Sequence, residues 1–355
     1  MRAILSGAAG VLLPLLAATP AAAQDAQPII VQGPLIHPAA GLMNEHVHEG
    51  GEIMVGLRLE RQRFSGANQH GTDTIDDAAI LAAGYTTRTA TMEMDMVMLD
   101  LMVGVTDTLT VMVMPHYMWH RMEMVGIDPG AGMADGHGHA GHALPFGAVH
   151  SHSSEGFGDT LVSASYRLLR RPGLGAHATL GVWLPTGSVD KRNPNGTFVH
   201  YGMQPGSGTW DVEPAVTVRG GSGAVGWGVQ GAYRWRTEDA NASGFAFGDR
   251  ARASGWLSTL AAPGLGATAR VEYVHEGAIQ GHYDGPHQHA SPPDRQANYG
   301  GDTVSAALGL NWLLPVGGAS RPQLGLEIGV PLYQDVNGIQ APQDWRGTVS
   351  VSHTF

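Results

Sequence analysis

The chain has 355 residues, of which 43% are hydrophobic and only 14% are charged, against about 25% charged residues in an ordinary soluble domain. A formal net charge of −11 argues against a nucleic-acid partner, because binding phosphates requires clustered Lys and Arg. The chain has no Cys, which excludes disulfides and thiolate metal sites and leaves Met, His, Asp and Glu as candidate metal ligands.

The first residues have the pattern of a secretory signal. Arg2 gives the positive start, residues 4–18 are apolar, and three alanines precede Gln24. Because the apolar run is shorter than the roughly 20 residues of a transmembrane helix, we predict a cleaved signal peptide over residues 1–23. Residues 24–50 are rich in Pro, Gly and Ala, and we predict a flexible periplasmic segment there. We assign residues 51–355 to one folded domain.

From residue 51 onward, segments in which apolar and polar residues alternate are separated by short and long connections in turn. A period of two predicts strands. We predict about twelve strands, over residues 52–62, 91–103, 109–124, 159–170, 174–186, 209–219, 224–237, 247–261, 265–276, 302–314, 323–332 and 344–355.

The second and third strands form a hairpin over residues 91–124 that has two chemically different faces. One face carries Val97, Leu99, Val111 and Val113, and the opposite face carries Met, Asp and His at every second position. A helix would mix these two sets, since its side chains repeat every 3.6 residues.

The length of the strands and the order of their connections predict an all-β, transmembrane, antiparallel outer-membrane β-barrel. The strands have the 9–11 residues that a tilted strand needs to cross the bilayer, with short periplasmic turns and long extracellular loops. A soluble sandwich also alternates, but its strands are usually nearer five or six residues. A closed barrel pairs every backbone N–H and C=O, as lipid requires.

The energetics of the bilayer predict which face points inward. An Arg that faces lipid at mid-bilayer costs about 2–4 kcal/mol, so Arg58, Arg234, Arg236 and Arg270 should face the lumen. Leu57, Tyr233, Trp235 and Val271 should then face lipid. With the acidic side chains on the same faces, the predicted pore lining is Arg58, Glu60, Asp100, Arg234, Arg236, Arg270, Glu272 and Glu327.

Two kinds of aromatic residue fit this arrangement. The side chains of Trp119, Trp227, Trp235 and Trp312 fit interfacial girdles. The terminal Phe355 resembles the C-terminal signature that the outer-membrane assembly machinery reads, so we predict that machinery and outer-membrane lipid as partners.

Four motifs resemble those of one family. They are GFGDTLVSASYRLL (156–169), LGVWLPTGSVD (180–190), MQPGSGTWDVEPAVTV (203–218) and GVPLYQDVNG (329–338). They are similar to the outer-membrane transporters labelled after the MetA (meta-cleavage) pathway of phenol degradation, and the likeness extends over residues 51–355. The resemblance implies an outer-membrane barrel with a transport role, and it implies no catalytic residues.

The inward face of the hairpin is rich in soft ligands. Thioether and imidazole suit Cu(I), so we predict a metal-contacting set of Met94, Met96, Met98, Met112, Met114, His116, Met118 and His120. The alternative is that these Met side chains only fill an irregular lumen. The Gly-rich loop after the hairpin adds His137, His139 and His142 as candidate metal ligands; the alternative is a solvated, weakly chelating loop.

We predict a passive transporter or channel for a small solute, with copper or another soft metal ion as the candidate substrate rather than a firmly bound cofactor. One alternative is transport of a hydrophobic or aromatic compound, and another is a structural or metal-binding surface barrel that transports nothing. We predict no enzymatic activity, because the sequence has no G-x-S-x-G elbow and no helical H-E-x-x-H motif.

Overall fold

The computed structural model describes residues 39–131, 144–315 and 322–355. The predicted signal peptide therefore lies outside the described residues. Among the residues that are described, no helix is long and apolar enough to cross a membrane.

The chain forms a closed antiparallel barrel of twelve strands, which confirms the predicted fold class. The strands are β1 (Ile53–Ser65), β2 (Thr87–Thr106), β3 (Leu109–Met114 and His116–Gly126), β4 (Val149–Phe157 and Thr160–Arg171), β5 (Leu174–Leu184), β6 (Asp211–Ser222), β7 (Val225–Arg236), β8 (Arg250–Ala262), β9 (Leu265–Glu276), β10 (Gly301–Leu313), β11 (Gln323–Gln340) and β12 (Gln343–Thr354).

Each strand pairs with the next one in sequence, and the first pairs with the last. The closing ladder of β1 and β12 runs from Met54 opposite Thr354 to Phe64 opposite Gln343. This ladder removes the unpaired strand edges that lipid would not tolerate. Short turns at residues 107–108, 172–173, 223–224 and 263–264 mark one rim, called here the turn rim. The opposite rim carries the longer connections and is called the loop rim.

Two strands are interrupted at neighbouring positions in the wall. Pro115 divides β3, because proline has no N–H for the ladder. Gly158 and Asp159 divide β4 beside it. The Gly158 N–H still donates to the carbonyl of His116 at 3.0 Å, and a Cβ on Gly158 would collide with the His116 ring. The glycine therefore lets the backbone pass close to that imidazole.

The alternation with a period of two places apolar side chains on the outside of the barrel and polar side chains in the lumen. Leu57, Tyr233, Trp235 and Val271 are 47%, 46%, 56% and 52% exposed and point away from the barrel interior. Trp119, at 43% exposed, also points outward. With Leu308, Ile328 and their neighbours these residues form a continuous apolar exterior, which suits a bilayer rather than water.

The structure extends some strands beyond their predicted ends. We expected a connection over residues 333–343, but β11 continues to Gln340, and only Ala341 and Pro342 separate it from β12. The polar residues 333–340 look like a loop because this end of the strand lies beyond the apolar belt. There β11 pairs with the short strand Gln69–Gly71.

The connections at the loop rim contain small elements of their own. They are the strands Gln69–Gly71, Asp73–Thr74, Phe245–Ala246 and Gln280–Gly281, the helix α1 (Asp77–Ala82), and the 3-10 helices Tyr201–Met203, Pro292–Asp294 and Gln296–Asn298. Stacked rings join two of the loops, with Tyr201 and Tyr283 4.3 Å apart and Phe198 and Tyr283 4.1 Å apart between centroids. The loops are therefore a packed layer over this end of the lumen.

Residues 39–50, which precede β1, lie inside the barrel. The His177 ring on β5 hydrogen-bonds the carbonyl of Asn44 at 2.7 Å, and Gln230 on β7 donates to the carbonyl of Met43 at 3.0 Å. Arg167 on β4 donates to Glu49 at 3.0 Å. The described part of the segment that we predicted to be flexible and periplasmic, residues 39–50, is therefore held against the inner wall of the barrel. The segment packs in the lumen because polar wall side chains bond its backbone carbonyls.

Candidate functional site: the barrel lumen

The loop half of the lumen contains a cavity of about 560 Å³. Side chains of β1, β2 and β3 form one wall, and charged side chains of β6 to β9 and β12 form the opposite wall. Gly41 and Met43 of the N-terminal segment bound it toward the turn rim, and the loops over residues 202–207 and 292–303 bound it above.

The first wall is rich in thioethers because the ladder aligns inward-facing residues of neighbouring strands. Met96 pairs with Met118, Met94 with His120, and Met98 with His116 across β2 and β3. We call this surface the Met/His wall. Its cavity-lining members are Met92, Met94, Met96, Met98, Met114, His116, Met118, His120 and Met122.

Two ring nitrogens on this wall have no hydrogen-bond partner among the described residues. They are the buried Nδ1 of His116 and the buried Nε2 of His120. His120 is only 2% exposed, and its other nitrogen lies 3.3 Å from the Ser154 hydroxyl. A buried polar atom normally has a partner, so the free nitrogen of His120 is an unused donor or acceptor at the cavity wall.

Met112 does not reach this cavity, although it shares the inward face. It is 3% exposed and packs in an apolar cluster with Met98, Met102, Met114, Leu161 and Trp183, which Met43, Met54 and Met96 also contact. Met98, Met114 and Trp183 belong to both the cluster and the cavity wall, whereas Met102 and Met112 lie nearer the turn rim and only pack, as the packing interpretation of the methionines predicts.

The charged wall is a network of ion pairs. Arg270 donates to Glu272 at 2.7 Å and to Glu327 at 2.5 Å, and Arg346 donates to Glu272 at 2.8 Å. Arg252 is 3.4 Å from Glu213. The side chains of the Arg270–Glu327 pair are 1% and 2% exposed. Buried charges in pairs of this kind hold one another in place.

The remaining predicted pore residues also face inward. Arg234 and Arg236 both pair with Asp211, whose side chain is fully buried. Arg58 is 3.3 Å from Asp100, and Glu60 lines the cavity. The structure thus brings all eight predicted lumen charges to the interior, where several of them are paired.

Sequence reasoning missed part of this network. Asp211, Glu213, Arg252 and Arg346 belong to it and were not singled out. Arg252 and Arg346 sit on the same alternating faces as Ser254 and Thr348, which point inward. Extending the two-residue rhythm to those strands would therefore have found them.

The structure gives less support for metal binding by the histidines outside the Met/His wall. His137, His139 and His142 lie outside the described residues. His152 contacts His150 and His200, with ring centroids 4.5 Å and 5.2 Å apart. Over residues 39–131, 144–315 and 322–355, no group of three or more His, Cys, Asp or Glu side chains is arranged to hold a metal ion.

Two titratable groups in the N-terminal segment are shifted by their surroundings. Burial lowers the pKa of His48. Burial alone would raise the pKa of Glu45, but the charge and hydrogen bond of His46 outweigh that effect and lower the pKa to about 2. Glu45 is therefore ionised at neutral pH inside the barrel.

Residues 100–290 match the profile of the family described as the MetA-pathway of phenol degradation, which covers more than half of the chain. The chain belongs to this family. The match confirms the resemblance read from the sequence motifs. The motif at residues 329–338 falls outside the matched range.

This member of the phenol-degradation MetA-pathway family also resembles solved structures. It is similar to the COG4313 outer membrane channel from Pseudomonas putida F1, with 15% identity, a TM-score of 0.56, and coverage of 88% of this chain and 98% of that one. It is more distantly similar to the transport unit of the autotransporter AIDA-I from Escherichia coli, with 8% identity, a TM-score of 0.48, and coverage of 89% and 94%. No curated protein sequence matches the chain.

The first of these similarities concerns the fold, which is that of an outer-membrane channel. Together with the apolar exterior, it assigns the protein to the outer membrane, as the strand pattern predicts.

Proposed function

We propose that the protein is an outer-membrane channel that passes a soft metal ion, copper in the first place, along the Met/His wall. The general part of this proposal, a channel, is supported by the fold and the family. The specific part, copper, is supported by the chemistry of the wall. Transport in this membrane is passive, driven by the gradient of the solute.

The observation that most supports copper as the substrate is the Nε2 atom of His120, which has no hydrogen-bond partner among the described residues. Met118 and Met122 lie two residues to either side of His120 on the same inward face, and Met94 is its cross-strand partner. Side chains that are directly opposite, or two residues apart on one face, are close enough to act together. Imidazole and thioether are the donors that favour Cu(I) over harder ions.

The charged wall fits a supporting role in the same proposal. Its arginines and carboxylates bond to one another, as in the Arg270–Glu272–Arg346 sequence of contacts. A paired wall stays rigid and adds little net field, so selectivity comes from the thioethers opposite. Because residues 39–50 fill the turn half of the lumen, an ion that leaves the cavity toward that rim must pass them.

The test is copper uptake into proteoliposomes that contain a fourfold variant of the cavity wall, with Met94, Met96, Met114 and Met118 all replaced by Leu. Leucine keeps the apolar volume and removes the sulfur, so the barrel is retained. We expect uptake of Cu(I) to fall to the level of empty liposomes.

The matched control replaces Met102 and Met112 by Leu, because these buried methionines belong to the cluster and not to the cavity wall. This control should retain uptake. Equal uptake by the fourfold variant and the native protein would reject the thioethers as the copper path, and native uptake no higher than that of empty liposomes would reject copper as the substrate.

A hydrophobic or aromatic solute is the second candidate. The cavity also presents Trp183, Phe247 and Tyr299, and the family description refers to phenol degradation. Uptake of a labelled aromatic compound into the same proteoliposomes separates the two candidates, since the thioether-to-leucine exchange leaves an apolar wall and should not abolish it.

A barrel that transports nothing remains the third outcome of these measurements. Its support is the packing of residues 39–50 within the lumen. Conductance in planar bilayers, recorded with and without copper, tests it directly: a complete lack of conductance together with no uptake would favour a structural or metal-binding surface role.

A further inference from the structure

The N-terminal segment contains a pair of histidines that face each other inside the barrel. The Nε2 atoms of His46 and His48 are 3.0 Å apart, and their ring centroids are 4.6 Å apart at an angle of 73°. His48 is 5% exposed and is fixed by its backbone N–H, which donates to the Thr110 hydroxyl at 2.8 Å. The pair lies at the turn-rim end of the lumen, apart from the Met/His wall.

The far side of each ring contacts a carboxylate. Glu45 lies 2.7 Å from Nδ1 of His46, and Glu52 lies 3.2 Å from Nδ1 of His48. A carboxylate oxygen at hydrogen-bond distance accepts from Nδ1 and so favours the tautomer in which Nδ1 carries the proton. When both rings are neutral, their Nε2 atoms present lone pairs to each other at 3.0 Å, and this repulsion is relieved either by a proton on one ring or by a metal ion between the two nitrogens.

This arrangement is the one that proteins use to prepare histidines for metal binding. A ligating imidazole donates its other N–H to a carboxylate, which fixes the tautomer and raises the basicity of the free nitrogen. Two metal–nitrogen bonds of about 2.0 Å span the observed nitrogen separation when they meet at roughly 100°, close to a tetrahedral angle.

We propose that His46 and His48 chelate a transition-metal ion through their Nε2 atoms, with Glu45 and Glu52 as positioning residues. The other coordination positions are left to water or to a passing solute. Among divalent ions the nitrogen pair favours Cu(II) over Zn(II), following the usual order of stability. This site is separate from the passage proposed above and holds whether or not the barrel transports copper.

The charges around the pair agree with a cation. Asp100 on β2 interacts electrostatically with Glu45 and His46, and its buried Oδ1 has no hydrogen-bond partner among the described residues. Its other oxygen is 3.3 Å from Arg58, and Arg219 interacts with Glu45. Three carboxylates therefore surround the two rings, and the two arginines only partly offset them.

The experiment is calorimetric titration of the full-length protein in detergent with Cu(II) alone and with Zn(II) alone. It is carried out in a background in which His137, His139 and His142 are replaced by Gln, which removes these three histidines as competing ligands. We expect one ion to bind per barrel and the double variant His46→Gln, His48→Gln to lose that equivalent. The Cu(II) electron paramagnetic resonance spectrum should also lose its nitrogen coupling.

Two further variants keep the result interpretable. Glu52→Gln leaves both nitrogens in place and should weaken binding about 10- to 100-fold, the usual effect of removing a carboxylate behind a ligating histidine. His275→Gln is the matched control, since His275 also contacts a carboxylate, Asp302 at 2.9 Å, but no histidine ring among the described residues faces it, and the variant should leave binding unchanged. Heat-dependent migration in electrophoresis verifies that each variant is a folded barrel.

Binding of the same stoichiometry and affinity by the folded double variant would overturn the site, as would the absence of any bound ion in the background protein. Neither result bears on copper uptake along the Met/His wall, which is measured separately in proteoliposomes.

Discussion

Arg270 on β9 and Glu327 on β11 form a two-point ion pair across the neighbouring strand β10, with contacts of 2.5 Å and 3.3 Å and almost no exposure to solvent. Gly41 of the N-terminal segment lies against them, and a Cβ at Gly41 would collide with Glu327. The pair thus joins the wall to the segment inside it.

The first prediction concerns that pair. Glu327→Ala leaves the Arg270 charge buried and under-compensated, which should lower the free energy of unfolding by about 3–5 kcal/mol. Urea unfolding of the refolded barrel in lipid vesicles measures it. The control is Asp77→Ala, which breaks the Arg88–Asp77 pair in the loop layer, outside the apolar belt, and should change the free energy by about 0–1 kcal/mol. Equal effects in the two variants would show that burial of the pair does not matter.

The second prediction concerns the lipid-facing surface. Leu308 is 67% exposed in the middle of β10, so Leu308→Arg should lower the stability in vesicles by about 2–4 kcal/mol. Val225 is 52% exposed but begins β7 at the turn rim, and Val225→Arg there should cost about 0–1 kcal/mol. The same urea assay compares them, and a smaller loss at Leu308 than at Val225 would contradict the assigned depth.

The third prediction concerns pH and the loop layer. Burial alone raises the pKa of Asp294, but hydrogen bonds from His200 and Ser291 outweigh it and hold the pKa below the ordinary 3.8. Because the folded pKa is depressed, Asp294 contributes stability that is fully present above 3.8 and is lost as the pH falls through the folded pKa.

Hydrogen–deuterium exchange of residues 280–300 should therefore accelerate on acidification, after correction for the intrinsic rate. Asp294→Asn should already exchange faster at neutral pH and respond less to acid. A variant that keeps the native response to acid would assign the effect to another group.

The fourth prediction concerns the seating of residues 39–50. His177→Ala and Gln230→Ala together remove two hydrogen bonds to the segment, worth about 1–3 kcal/mol in total. The chain has no Cys, so Met43→Cys provides a unique probe. Its maleimide labelling should become roughly 5- to 150-fold faster in the double variant.

Ser165→Ala is the control for that measurement. The Ser165 hydroxyl hydrogen-bonds Thr179 within the wall at 2.8 Å and makes no hydrogen bond to the described residues 39–50, so labelling of Met43→Cys should be unchanged. If the double variant labels no faster than this control, the two hydrogen bonds do not hold the segment.

The barrel was predictable because each strand repeats the same local rule. A lipid exterior and a wetter interior make Leu57 and Arg58, adjacent in sequence, point to opposite sides, and the rule extends to every strand of the closed sheet. It failed at β11 beyond residue 332, where the strand leaves the apolar belt and its residues no longer need to alternate.

The candidate site was only partly predictable for a related reason. Alternation assigns Met96 and Met112 to the same face, but it has no information about depth, and only Met96 reaches the cavity. Residues 39–50 have no periodicity, so nothing local in the sequence indicates that they pack within the barrel. The His46 and His48 rings face each other because the segment packs in this way and because Glu52 contacts His48. The sequence alone does not show this arrangement. Recognition of Phe355 by the assembly machinery stays a prediction.

The order of the chain has a consequence for biogenesis. The residues inside the lumen connect directly to β1 at the turn rim, the same rim at which β1 pairs with the end of β12. These residues can therefore enter the lumen from the periplasmic opening after β1 and β12 have paired. They do not have to pass through the wall of a closed barrel. We expect the appearance of a sealed barrel and the docking of its internal peptide to be two separable kinetic phases, the second of them slowed when His177 and Gln230 are absent.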